Sequence, residues 1–404
     1  MTGRDDTDKS PASNLETPRG WLIVGASLVG LAVGMNPVPF YTIGMLAPEL
    51  SKAFGWSFGA IMSAIGFQAV ANLVAVPLSG LAVDRFGARP VALCSLLLFG
   101  LAYMSFALTP GSIEIFYAQW AVMSVVGAGT LNGTWNRAVT GWFDRNLGLA
   151  IGFASTGSGF TGFLLKPICA WLILNYGWRA TFVVIGLLPI AVGIPIIAFL
   201  FYERGGAHTK IERIAPKRNE PGLDLRESVR RRSFWILSLA FILIALSLTA
   251  PTPNLENILR LKSFDLTTIA HITGFFGLSV ITGRIICGWV IDRVWAPAFA
   301  CAFLVLPAGA CWLLALPNIT EADAIISIVA LGLAAGFEFD LLGYLVARYF
   351  GRRHYGAVYG YFYTLVAFAG GFGPGVFGRA FDLTGSYAQV LFGAAACIFA
   401  SGVL

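Results

Sequence analysis

Twelve stretches of this chain are long and apolar enough to cross a lipid bilayer, and no other feature constrains the fold as tightly. A membrane-spanning helix needs about 20 mostly apolar residues. Candidates lie at about 20–46, 57–83, 90–109, 112–138, 147–175, 178–201, 234–254, 267–291, 296–316, 323–347, 355–381 and 386–404, the last of them short. In hydrocarbon every backbone amide and carbonyl must find its partner within the protein, which leaves only helices or a closed barrel. Uninterrupted apolar runs of this length read as helices. Charged residues make up 12% of the sequence, about half the usual share of a soluble domain. A soluble reading would leave these runs with no polar face.

Orientation follows from the excess of Lys and Arg in cytoplasmic loops. With the N-terminus inside, the cytoplasmic segments hold 20 of the 27 basic residues, nine of them between residues 202 and 233, and the opposite side holds 5. The formal charge of +6 is therefore a matter of topology and gives no reason to expect a nucleic-acid partner. Segment 202–233 is the long polar interruption. It divides the chain into a cytoplasmic tail (1–19, expected disordered and without a signal-peptide pattern), a six-helix bundle (20–201), a cytoplasmic linker (202–233) and a second six-helix bundle (234–404).

The two halves repeat. Gly80-Leu81-Ala82-Val83-Asp84-Arg85 closes the second span and Gly288-Trp289-Val290-Ile291-Asp292-Arg293 closes the eighth, an offset of 208 residues. The same offset relates Gly148 to Gly356 and Gly152 to Gly360, at the starts of spans five and eleven. Parallel six-helix repeats are the plan of a large class of secondary transporters. The expected fold is thus an all-α membrane protein with twelve transmembrane helices in two six-helix repeats and both termini in the cytoplasm.

The stretch Gly80-Leu-Ala-Val-Asp-Arg-Phe-Gly-Ala-Arg-Pro90 resembles the signature between the second and third helices of the major facilitator superfamily, with its degenerate copy at Gly288–Arg293. Phe54-Gly55-Trp56-Ser57, Tyr176-Gly177-Trp178-Arg179 and Gly283-Arg284 look like the monocarboxylate and oxalate/formate porter branch. In that branch an arginine of the eighth helix binds the substrate carboxylate, and Arg284 is the matching position. Span eleven reads Tyr363-Thr364-Leu365-Val366-Ala367, without the lysine of oxalate exchangers, so one carboxylate fits better than two. The resemblance also makes Gly80, Asp84, Arg85, Gly87, Arg89, Asp292 and Arg293 residues of a cytoplasmic gate, bracing helix ends against each other.

With the charges of the loops and span ends set aside, four charged residues remain within the candidate spans: Lys166, Arg284, Glu338 and Asp340. A charge at mid-helix costs about 2.5–3.5 kcal/mol on insertion scales, so such residues need partners, water or a task. The guanidinium of Arg284 suits a carboxylate through two parallel hydrogen bonds; the alternative is a brace to Glu338 or Asp340. Lys166 either adds a second cation for an anion or runs its stem toward the outer interface. Glu338 and Asp340, about 200° apart on their helix, cannot share a face, and one of them is the expected proton site. Asp340 shares its face with Gly336. Tyr41 and Asn36 lie beside Pro37 and Pro39, which interrupt span one, and are cavity-lining candidates.

The expected activity is uptake of a monocarboxylate with a proton by alternating access. The alternative is export or exchange of a neutral or cationic compound, with the four charges as internal ion pairs. No phosphate-binding loop or metal-ligand spacing occurs, so no enzyme, metal or cofactor is expected. The six cysteines read as reduced packing residues. The expected partners are the lipid bilayer, a small organic anion and protons, and the expected form is a monomer in a bacterial plasma membrane.

Overall fold

The structure is a computed structural model. It describes residues 18–143, 146–202, 223, 225–290, 293–294, 296–351 and 355–403. The tail, most of the linker and the gate candidate Asp292 lie outside these residues. Regular structure among them is helical. The first half holds α1 (Pro18–Ala32), α2 (Pro37–Phe54), α3 (Phe58–Phe86), α4 (Ala88–Ser105), α5 (Ile113–Gly127), α6 (Asn132–Thr140), α7 (Leu147–Ser155), α8 (Gly157–Leu188) and α9 (Ile194–Leu200). After a short α10 (Leu225–Val229) come α11 (Arg232–Thr249), α12 (Leu255–Arg260), α13 (Leu266–Val290), α14 (Ala296–Ala315), α15 (Glu321–Phe350), α16 (Tyr355–Thr384) and α17 (Ala388–Val403). Eight helical stretches among the described residues are long and apolar enough to span a membrane. Leu, Val and Phe side chains stand exposed along them, including Leu81, Leu174, Phe199 and Val376, as lipid-facing surfaces require.

Two interruptions position the site. Between α1 and α2 the run Gly34-Met35-Asn36-Pro37 breaks the helix, because proline supplies no amide and clashes with the preceding turn. The freed Met35 amide donates to Thr130 Oγ1 at 2.9 Å. Between α11 and α12 the break falls at Pro251 and Pro253. There Asn254 Nδ2 donates to the Ala250 carbonyl (2.9 Å) and, across to α16, to that of Pro374 (3.2 Å). The Asn254 side chain thus ties the break to α16. The chain continues as α12 to Arg260, six residues past the expected end of span seven at 254.

The halves meet at one end and part at the other. Where α2 finishes and α3 begins, Phe58 N and Gly59 N donate to the Asp382 carboxylate at 3.0 and 2.8 Å, joining α3 to α16. A Cβ on Gly378 would lie 2.8 Å from Gly59 Cα, and one on Gly375 would lie 2.9 Å from Ser63 Oγ. At mid-span a Cβ on Gly277 of α13 would lie 2.5 Å from Phe163 N of α8. Toward the opposite end nothing lies within 4 Å of a Cβ built on Gly80 of α3, Gly148 and Gly152 of α7, or Gly360 of α16. In the orientation expected from the distribution of Lys and Arg, the closed end would face outside and the open end the cytoplasm.

Candidate functional site

Where the halves meet, α2, α8 and α12 bury a charged pair. Lys166 Nζ of α8 lies 2.7 Å from Glu256 Oε1 of α12, with side chains 1% and 3% exposed. No further hydrogen-bond partner of Lys166 Nζ or of the Glu256 oxygens is found among the described residues. The two buried charges neutralise each other, which offsets part of their desolvation. Glu256 sits against α2 at Gly44, where an added Cβ would lie 2.9 Å from Glu256 Cδ and closer still to Oε2. Only glycine leaves room for the carboxylate there.

Tyr41 packs beside this pair. It is 7% exposed, its ring centroid lies 5.9 Å from Lys166 Nζ, and its ring edge meets Phe276 of α13 with centroids 6.1 Å apart. Arg284, half-buried on α13, is within electrostatic reach of the Tyr41 hydroxyl. The backbone of Arg284 also passes close to α15, with its amide 3.0 Å from where a Cβ on Gly336 would stand. Of the four expected substrate residues, Tyr41 and Lys166 are neighbours, and Arg284 reaches Tyr41 electrostatically from α13. Asn36 does not join them; it stands exposed at the α1–α2 break and caps nothing with its side chain.

Glu338 is 4% exposed on α15, and its Oε1 has no hydrogen-bond partner among the described residues. It lies two residues beyond Gly336, about 200° around the helix from the face that meets Arg284. The Asp340 side chain lies outside the described residues.

Two readings of Lys166 are corrected. It does not run to the outer interface, being almost fully buried, and it is not an open cation, being occupied by Glu256. The count of four intramembrane charges is corrected as well, because Glu256 is a fifth. Sequence reasoning missed it by ending span seven at the Pro251/Pro253 pair, whereas the helix resumes beyond. One signal was available: a cation in the middle of span five requires an anion, and the nearest unassigned carboxylate beyond the second proline is Glu256.

At the open end, Asp84 of α3 pairs with Arg137 of α6. Arg89 donates to the Ala198 carbonyl of α9 and stacks over Tyr202 at 4.5 Å. Gly87, at φ +88°, turns the chain between α3 and α4, and Arg85 lies over the Phe86 ring at 5.3 Å. Gly80 and Arg293 are exposed. These ties join helices within the first half. By contrast, Lys166–Glu256, the 3.8 Å contact of Glu49 with Arg260, and the Asp382 bonds all cross between halves at the closed end.

A helical membrane fold whose halves meet over a buried ion pair points to a carrier. The sequence matches the Major Facilitator Superfamily over residues 21–374, and the chain belongs to that family. It is 30% identical to a 38 kDa protein encoded in the 23S RNA operon of Thermoproteus tenax, covering 96% of this chain and 95% of that one. It is 22% identical to human monocarboxylate transporter 11 (93% and 80% covered) and 27% identical to a gallate transporter of Pseudomonas putida (68% and 66%). The structure of a bacterial homolog of the human lysosomal transporter Spinster superposes with a TM-score of 0.69 at 15% identity, covering 96% and 95% of the chains, and shares the fold.

Proposed function

We propose that this protein is a secondary transporter of a small organic anion, most simply a monocarboxylate carried with a proton by alternating access. Two six-helix units, 20–201 and 234–404, would rock about the seam in a bacterial plasma membrane, the protein acting as a monomer. The observation that supports this reading is Tyr41 at the seam, beside Lys166 of the first half and within electrostatic reach of Arg284 of the second. Lys166 is paired with Glu256 in this conformation, so the carboxylate is assigned to the fork of Arg284. The names of the relatives, monocarboxylate and gallate transporters, point the same way.

Charge balance supports proton coupling. The spans hold two cations, Lys166 and Arg284, and three carboxylates, Glu256, Glu338 and Asp340. Each bound monocarboxylate adds one negative charge, and one further proton restores the balance in a medium where uncompensated charge is expensive. Glu338, buried and facing away from Arg284, serves as a proton site in this scheme.

Uptake of labelled lactate and of a hydroxybenzoate into proteoliposomes with an acidic exterior tests the proposal. Accumulation above protein-free vesicles, lost in Arg284→Ala, is the expected result. The second reading, transport of a neutral or cationic compound, draws on the Lys166–Glu256 pair, which leaves that cation already neutralised. A thermal-shift screen separates the two: stabilisation by amines and not by acids would replace the anion reading.

A further inference from the structure

The mechanism above assigns no task to Glu256, yet its carboxylate occupies the cation nearest the closed end. Glu256 comes from the second half and Lys166 from the first, so the pair spans the seam. The other two polar ties at that end, Glu49–Arg260 and Asp382 with the Phe58 and Gly59 amides, involve exposed or half-exposed side chains. Water weakens such ties. Lys166–Glu256 is the buried one. A buried ammonium cannot be left bare, so whatever removes Glu256 obliges Lys166 to take another anion.

We propose that Glu256 is an internal stand-in for the transported carboxylate, and that its protonation is the event that unlocks the closed end and hands Lys166 to the incoming anion. The inference rests on the alternating-access reading above. A proton from outside binds a Glu256 oxygen, and Lys166 keeps its charge. The neutral acid no longer holds α12 to α8, the halves part, and a carboxylate enters to pair with Lys166. On the cytoplasmic side the proton leaves and Glu256 displaces the anion. With Glu338 keeping its proton throughout, the one proton on Glu256 and one anion cross together, and the only covalent change is an O–H bond formed and broken.

The surroundings fit this role. From α8, Lys166 and Cys169 face Glu256; from α2, Tyr41 lies across the lysine and Gly44 supports the carboxylate. One turn outward on α12 stands Arg260, which answers to Glu49 of α2. Tyr103 of α4 borders Cys169, and Tyr387 accepts a hydrogen bond from the neighbouring Asn257 at 2.9 Å. Lys166 is therefore the one cation in direct contact with Glu256 among the described residues.

The test needs no substrate. A cysteine at Ser63, on α3 where it meets α16, is introduced into a chain lacking its native cysteines. The chain is reconstituted and labelled from outside with an impermeant maleimide, normalised to a loop cysteine. Labelling is expected to rise as the exterior is acidified. Glu256→Gln should label about fivefold faster at neutral pH and lose the pH response, since about 1 kcal/mol of differential stability corresponds to that factor. Lys166→Met/Glu256→Met, which leaves no buried charge to disturb folding, should behave in the same way. If both variants label at the wild-type rate and keep the wild-type response to pH, the inference is wrong. Should labelling follow Glu256 while no carboxylate is taken up, the unlocking of the closed end by Glu256 stands, and its stand-in role falls with the substrate reading. Uptake that depends on Arg284 with labelling indifferent to Glu256 gives the reverse.

Discussion

Gly378→Ala probes the closed end directly. A methyl group on Gly378 would lie 2.8 Å from Gly59 Cα, 2.9 Å from Gly59 N and 2.9 Å from Phe58 C. All three are backbone atoms, so no side chain can rotate away. Ordinary contact begins near 3.4 Å, and α3 and α16 must therefore separate by about 0.5 Å. The same displacement stretches the bonds from Phe58 N and Gly59 N to Asp382, now 3.0 and 2.8 Å, toward the limit of useful geometry. Overpacking of this kind costs about 1–3 kcal/mol. The better helix propensity of alanine acts in both conformations and cancels. The cost falls on the state closed at this end, so the equilibrium should move toward the alternative by roughly 5- to 150-fold. Spin labels at the exposed Lys52 and Leu383, read by pulsed electron paramagnetic resonance, report the opening. A new, longer distance population in Gly378→Ala is expected. An unchanged distribution with a lower melting temperature would refute the reasoning, showing that the contact is common to all conformations.

Gly44→Ala would push its methyl into the Glu256 carboxylate. It should raise outside labelling at residue 63 as Glu256→Gln does, and a wild-type labelling rate would argue against the tight seat described. Asp84→Ala leaves Arg137 unpaired at the open end; with both side chains partly exposed, the melting temperature should change little, by an amount matching about 0–1 kcal/mol, while transport rate falls. Asp265, in the loop before α13, accepts hydrogen bonds from the Thr267 and Thr268 side, which hold its carboxyl well below the usual carboxylate range. Its contribution to stability is therefore present above the unfolded value near 4 and lost only as pH falls through the depressed folded value. Melting of Asp265→Asn and wild type should differ at neutral pH and converge in strong acid.

Much of this architecture was legible in the sequence because the bilayer writes it there. Continuous apolar runs locate the helices, the 208-residue offset reveals the repeat, and the family signature at Gly80–Pro90 names the class. Tyr41, Lys166 and Arg284 stood out for the same reason: polar groups and proline breaks are rare in apolar helices. Glu256 did not, since a helix that continues past two prolines depends on Asn254 satisfying carbonyls of Ala250 and of the distant Pro374. That is a tertiary fact with no local sequence signal. The pairing of Arg137 with Asp84, 53 residues away, is also invisible to local pattern. Which glycines pack and which stand open likewise depends on how the halves lie in this conformation.

The most direct test of the account is proton movement driven by a carboxylate. Proteoliposomes loaded with a pH-sensitive dye, at equal pH on both sides, receive lactate or a hydroxybenzoate outside. The account predicts lumenal acidification beyond that of protein-free vesicles, abolished in Arg284→Ala and in Glu256→Gln. Acidification no greater than in protein-free vesicles for every monocarboxylate, alongside uptake of an amine by the same vesicles, would contradict it.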